Sequence, residues 1–359
     1  MLLLLIACGR PEPTAELPSG GFFSSTGASL GMAAQCLVGF PNSPASQAAP
    51  LWGALAQSCP GEVYGTGALA AFNLQCGAPP PEVLALRGSA AVAFGAPRTE
   101  SGVIHGTLSA PGDHGWQGEV RIPIPANPGA FSLLVPAAEG PGPNVLTDHD
   151  ALVHARVRAE SGIDIASLVP AQSQADSLFN LKSSLLSRAV LAGTWELAIY
   201  PAPKGQVLPQ AVLAIGVHAS AARPAVDAFA SQLREQWNVQ RAPTAVGNWH
   251  GECIRGMRIL PGLEPCWLMD EQSLVVGWNQ QALVQAVGGT ITPIDLGGRS
   301  GITLDFRAMS NADAILAADV NPALRFDPIR YPTNRATFTA ARQGDLLVAH
   351  LDSDQPCGP

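Results

Sequence analysis

The densest group of side chains able to do chemistry is Asp148-His149-Asp150, with His154 close behind. Carboxylates beside imidazoles can hold a divalent metal or relay a proton. The same residues also read as an ordinary turn ahead of an alternating segment, Leu152–Val157, on which His154 shares a face with Leu152 and Arg156. A solvated turn is the expectation, and a metal or acid–base site is the alternative. The sequence contains no HExxH, HxH, CxxC or CxxH spacing, so neither a metal nor a cofactor is expected.

Three other groups stand out. Gly27-Ala28-Ser29-Leu30-Gly31 fits G-x-S-x-G, the nucleophile elbow of hydrolases, which requires a strand before the serine and a helix after it. A Gly-rich stretch and Phe22-Phe23 precede it, so no core strand is expected there and Ser29 reads as part of a helix start. Asp352 and Asp354 flank Ser353, and paired acids serve glycoside hydrolysis only at a set separation inside a cleft; a solvated tail is expected. Trp249 and His250 lie in Gly247-Asn248-Trp249-His250-Gly251, where the glycines suggest an exposed loop and a candidate ligand surface.

The elements that position these residues divide by period. Residues 22–88 read as mostly helical: Ala45–Ser58, then Gly67–Leu74, then a turn at Glu82–Leu86 beyond Pro79-Pro80-Pro81. From residue 89 the period shortens. Ala90–Phe94, Gly102–Leu108, Gly118–Pro125 and Ala130–Val135 read as strands of a meander over 89–144, with Gly112-Asp113-His114-Gly115 as a turn. Over 145–359 a strand-then-helix unit recurs: Leu152–Val157 into Ile163–Leu168, Val212–Val217 into Pro224–Trp237, Leu274–Trp278 into Gln280–Val287, and Ile302–Phe306 into Ala312–Leu316. Partner strands Trp195–Tyr200 and Pro265–Met269 precede two of these units. On 224–237, Val226, Phe229, Ala230, Leu233 and Trp237 make one apolar stripe. A hairpin, Ala336–Ala341 with Leu346–Leu351 around Gln343-Gly344, closes the pattern. The expected class is α+β: a helical N-terminal segment, then an antiparallel or mixed sheet with repeated strand–strand–helix units and helices on one face.

Composition narrows function further. Charged residues are 13% and apolar ones 47%, so the chain buries a core and carries about half the usual charge. Net charge is −8, the lysines are Lys182 and Lys204, and no basic run exists. Nucleic acid is excluded as an expected partner, because phosphate binding needs a concentrated basic face.

Leu2-Leu3-Leu4-Leu5-Ile6-Ala7-Cys8 resembles the lipobox of bacterial lipoproteins. The resemblance implies removal of residues 1–7 as a signal peptide and a diacylglycerol thioether on Cys8. No basic residue opens this run, which fits a signal peptide shortened at its start. Residues 8–21 then form an acylated, Pro- and Gly-rich tether unable to fold. Gly9, in the place where an aspartate marks inner-membrane retention, implies the outer membrane of a Gram-negative envelope. With Cys8 lipidated, Cys36, Cys59, Cys76, Cys253, Cys266 and Cys357 remain, an even number suited to an oxidising compartment. Cys253 with Cys266 is the expected pair, and one of Cys36, Cys59 and Cys76 must reach Cys357 if all are oxidised.

The segments Leu213-Ala214-Ile215-Gly216-Val217 with 226–233, and 274–287, also resemble exported bacterial proteins of a family without an assigned activity, over residues 145–290. The resulting expectation is a membrane-anchored envelope lipoprotein acting as a binding or scaffold protein, with an envelope protein or an apolar ligand as partner. The alternatives are a secreted hydrolase using Ser29 or the 148–154 cluster, and a carrier of an apolar ligand.

Overall fold

A computed structural model describes residues 17–18, 20–38, 44–67, 73–98, 102–109, 115–126, 135, 144–147, 149–158, 191–203, 209–256, 263–288, 300–305 and 335–353. Contacts divide the chain into two units: Met1–Ala126 with Ile329–Ala336 and Gln343–Pro359, and Asn127–Pro328 with Thr337–Arg342. The first opens with β1 (Phe22–Thr26), α1 (Gly27–Val38), α2 (Pro44–Ser58), β2 (Glu62–Thr66), β3 (Asn73–Cys76) and α3 (Pro81–Arg87). It continues with β4 (Val92–Arg98), β5 (Gly102–Leu108) and β6 (Gln117–Pro123). The second carries β7 (Val153–Arg158), β8 (Leu191–Tyr200), β9 (Gln210–Val217), α4 (Ala219–Trp237), β10 (Gln240–Val246) and β11 (Trp249–Arg255). It ends with β12 (Cys266–Met269), β13 (Ser273–Gly277), α5 (Gln280–Val287) and β14 (Ser300–Asp305). β15 (Arg335–Gln343) and β16 (Leu346–Ser353) follow, joined at Gly344-Asp345, with Gly344 at φ +61°. The α+β class holds.

In the first unit the antiparallel order is β16-β6-β5-β4-β1-β2-β3. β1 lies inside this sheet, with Phe22, Phe23, Ser24 and Ser25 all buried. Phe23, Leu30, Val63 and Val92 share one core, and Trp52 packs on it with its ring 5.3 Å from that of Phe23. Each such large apolar side chain contributes about 1.5–3 kcal/mol on burial.

Of the helices expected in 22–88, those at 45–58 and 82–86 are α2 and α3. The one expected at 67–74 is contradicted where it is described, because Asn73 and Leu74 belong to β3. α1 is additional, and β1, β2 and β3 alternate with the helices. Phe22-Phe23-Ser24-Ser25 is buried on both faces, so it shows no two-residue period. Asn73–Cys76, expected at the end of a helix, is drawn into the sheet by pairing with β2, where Cys76 lies opposite Val63. The strands expected at 102–108 and 118–125 are β5 and β6, and that at 90–94 is β4. Residues 112–114 and 130–134 lie outside the described residues.

A buried guanidinium fixes α3 to this sheet. Arg87 donates through Nη1 and Nη2 to the Glu62 carboxylate at 2.5 and 2.7 Å, and through Nη1 to Ser24 Oγ at 3.1 Å. The Arg87 hydrogen bonds hold the Glu62 carboxyl below its ordinary value, against the opposing effect of partial burial.

In the second unit the antiparallel order is β10-β11-β12-β13-β9-β8-β7-β14. Its two faces are both apolar. Val212, Ala214, Leu268 and Val275 pack with Ala282, Leu283 and Ala286 of α5. Val217, Ile254, Trp267 and Leu274 pack with Ala222, Ala225, Val226 and Ala230 of α4. Helices therefore cover opposite faces rather than one, because strands apolar on both sides must be covered on both sides. Two of the four expected strand–helix junctions are described, and their helices leave to opposite faces. Their likeness is local strand–helix patterning, and the described residues do not carry a repeated unit. The helices expected at 163–168 and 312–316 lie outside them.

α4 begins a turn before the expected Pro224 and ends at Asn238, whose left-handed φ of +51° closes the helix. Its Asp227 accepts from Arg241 Nη2 at 2.9 Å, and Arg241 Nε also donates to Glu252 at 2.6 Å, which ties helix to sheet. α5 starts where Asn279 Oδ1 accepts from the Ala282 N–H at 2.8 Å.

Glu62→Gln is expected to destabilise the first unit by about 2–3 kcal/mol, because it removes the countercharge from a buried arginine. Since the folded state holds the Glu62 proton less tightly, this stabilisation is present above the unfolded carboxyl value of about 4.3 and fades as pH falls through the lower folded value. Urea melts between pH 7 and pH 3 check both points. An unchanged midpoint at neutral pH, or an unaltered acid slope in the variant, contradicts the assignment.

Candidate functional site

The polar group with the most developed geometry lies on the α5 face of the second unit's sheet. Strand alternation places His154 and Arg156 of β7 on that face, with Thr194, Glu196, Ala198 and Tyr200 of β8 beside them. Glu196 is 0% exposed and His154 4%, so water contributes little to either. His154 Nε2 stands 2.8 Å from Glu196 Oε1. Glu196 Oε2 accepts from the N–H groups of Val145 and Leu146 at 3.0 and 3.3 Å. Tyr200 donates its hydroxyl to the Thr147 carbonyl at 2.7 Å, and the Thr147 N–H donates to the Ala286 carbonyl of α5 at 2.9 Å. The segment 145–147 is thus laced onto the sheet, and Leu146, 1% exposed, plugs the core beneath it.

A histidine–carboxylate pair is also the core of many acid–base sites. Here both oxygens of Glu196 are claimed by structural donors, and the bonds to a charged acceptor are each worth about 1.5–3 kcal/mol. The arrangement seats a chain segment.

The expected 148–154 cluster separates. His149 Nδ1 and Asp150 Oδ2 stand 2.9 Å apart, both side chains exposed, and Asp150 sits at φ +60° in the turn. Asp148 lies outside the described residues. His154 turns into the sheet face instead, sharing that face with Arg156 as its strand period predicts. Among the described residues no group of three or more His, Cys, Asp or Glu side chains is placed to hold a metal.

The Ser29 motif has both flanks that an elbow needs, since β1 runs directly into α1. This corrects the expectation that no core strand precedes it. Its side chains are nonetheless used as a helix cap. Thr26 Oγ1 accepts from the Ser29 N–H at 3.2 Å and donates to Ser29 Oγ at 2.9 Å. Ser29 is 7% exposed. Gly27 is there because any Cβ would lie 1.8 Å from the Cys59 carbonyl, and Gly31 lies against Ala56 of α2. G-x-S-x-G is here a capping and close-packing motif.

Trp249 and His250 open β11 rather than forming a loop. Gly247, at φ +58° as the first central residue of the turn, makes the tight β10–β11 hairpin. Trp249 packs against the α5-side core, and His250 is exposed on the opposite face. Asp352 accepts from Gln117 Nε2 at 3.2 Å, while Asp354 lies outside the described residues.

Two cysteine pairs stand at disulfide distance. Cys253 and Cys266, the expected pair, are directly opposed on β11 and β12 with Cα atoms 3.9 Å apart. Cys59 and Cys76 join the end of α2 to β3, with Cα atoms 5.6 Å apart. Cys36 belongs to α1, and Cys8 and Cys357 lie outside the described residues.

Sequence reasoning missed Glu196. Glu196 is in phase with Ala198 and Tyr200 on the expected strand Trp195–Tyr200, but the burial of that face follows from pairing with β7 and β9. Comparison with protein-family models, with curated proteins and with solved structures gives no match.

Glu196→Ala is expected to cost the second unit about 3–5 kcal/mol, because it leaves buried donors without an acceptor. Glu196→Gln retains an acceptor and should cost less than half of that. Urea unfolding of both variants checks this, and equal losses would mean that the carboxylate is mere filling.

Proposed function

We propose that this chain is an envelope lipoprotein, held to a membrane by lipid on Cys8, whose folded body binds or scaffolds rather than catalyses. The observation that carries the reading is the presence of two cysteine pairs at disulfide distance, one in each unit. Structural disulfides persist in oxidising compartments, and the bacterial envelope is one. The lipobox-like run at 2–8 and the Pro- and Gly-rich composition that follows it support the anchor, and Gly9 supports the outer membrane. Gly21, buried with its carbonyl accepting from the Gly67 N–H at 3.0 Å, already belongs to the folded body. The two strongest nucleophile and base candidates are occupied structurally, Ser29 by Thr26 and His154 by Glu196. The partner beyond the membrane is an envelope protein or an apolar ligand.

Two or three acyl chains anchor a protein far more firmly than one, each buried methylene adding about 0.8 kcal/mol. Radiolabelled palmitate is therefore expected to label the wild-type protein and not Cys8→Ser, which should leave the membrane fraction. Equal labelling of both removes the anchor. A fluorophosphonate probe should leave Ser29 unmodified; labelling lost in Ser29→Ala would establish a hydrolase instead.

A further inference from the structure

We propose that the outer face of α2 rests on the lipid bilayer to which Cys8 anchors the chain, so that the first unit meets the membrane through an uncharged helix as well as through its lipid. The proposal rests on the anchor reading above.

No Asp, Glu, Lys, Arg or His occurs between Glu16 and Glu62, in a chain where charged residues are 13%. That interval holds β1, α1 and α2. Over its described side chains α2 has two sides. Trp52, Leu55 and Ala56 pack on the core with Phe23, Leu30 and Val63. Pro50, Leu51, Ala54, Gln57 and Ser58 recur at helical spacing on the other side and are exposed. Leu51, at 73%, is the most exposed large apolar side chain among the described residues. A helix that faces water ordinarily carries charge on its outer side. α4 does so, with Arg223, Asp227, Arg234 and Glu235 exposed. Val284 of α5 is exposed as well, but exposed Gln280 and Gln281 lie one turn before it, and α5 belongs to the second unit.

Reach and charge make a bilayer the occupant. The folded body begins by Gly21, and the chain from Cys8 to that point spans at most about 45 Å when extended. β1, α1 and α2 are the first elements after it. The chain carries a net charge of −8, so a surface with anionic lipid repels it. A face without ionised groups approaches such a surface at the least cost, and seating it at the headgroup boundary desolvates no charge. α2 has 15 residues, about 22 Å of rise, too short to cross a hydrocarbon core of about 30 Å. It therefore lies on the bilayer. Interfacial helices without a lipid use a Lys- and Arg-rich face to hold the surface. Here the acyl chains supply the attachment, and Pro50 and Leu51 add local apolar contact.

The test uses the full-length acylated protein, purified from membranes and bound to preformed vesicles of phosphatidylethanolamine and phosphatidylglycerol. The vesicles include a phospholipid with a photoactivatable diazirine in its acyl chain. After flotation and illumination, mass spectrometry is expected to find lipid attached to the peptide spanning residues 50–58. Leu51→Glu should still float and should keep the wild-type urea midpoint. Labelling of that peptide should fall about tenfold, the loss expected when a leucine is no longer buried. Leu51→Phe should keep the labelling. Flotation with no lipid on residues 50–58, or equal labelling in Leu51→Glu, overturns the proposal and leaves the anchor standing. Crosslinks between copies of α2 in place of lipid make the face a dimer contact and overturn it too. Wild-type protein that carries no acyl group and does not float sinks the anchor reading, and the proposal with it.

Discussion

A carboxylate sealed from water must have its oxygens claimed by donors, and Glu196 imposes that condition on the second unit. Left unpaired, such a charge would cost several kcal/mol, a large share of the stability of any domain. The chain meets the condition with His154 from the neighbouring strand and with two consecutive backbone N–H groups, those of Val145 and Leu146. The last two have the wider consequence. They bring residues 145–147 onto the sheet, which seats Leu146 in the core and allows Thr147 to bridge Tyr200 and α5. A polar group buried at one point thus organises a loop, a strand and a helix.

The first unit applies the same rule with the opposite charge. Arg87 is buried at the end of α3, and its planar fork is matched by both oxygens of Glu62 and by Ser24. In each unit a buried ion sits where a short helix or loop meets the sheet. These contacts specify position more than they add stability, since a well-packed apolar replacement can be as stable as a buried ion pair. Cysteine pairs act alongside them: Cys59–Cys76 joins the end of α2 to β3, and Cys253–Cys266 spans β11 and β12. Such staples suit a protein working outside the reducing cytoplasm, in keeping with the proposed life at a membrane surface.

Much of this was legible in the sequence where one face was buried and the other was wet. The period of Val226, Phe229 and Ala230 marked α4, and the alternation of Val120 and Ile122 with Arg121 and Pro123 marked β6. It failed where burial is two-sided. Phe22-Phe23-Ser24-Ser25 shows no alternation because the strand is enclosed, and its absence from the sequence reading left Ser29 without its preceding strand. The G-x-S-x-G match illustrates a second limit. Glycines that permit a strained catalytic turn are the same residues that permit a helix to touch a carbonyl, and only the position of Cys59 distinguishes them. His154 was found for its chemistry and Glu196 was not, because pairing across neighbouring strands depends on a register that local sequence does not encode.

Amide hydrogen exchange at Val145 and Leu146 bears most directly on the idea that Glu196 organises the second unit. In the wild-type protein both amides should exchange as slowly as those in the centre of β8 and β9, and in Glu196→Ala they should exchange at least tenfold faster, about 1.4 kcal/mol in opening free energy, while the strands remain protected. Exchange of these two amides at the rate of an open loop in the wild-type protein would contradict it.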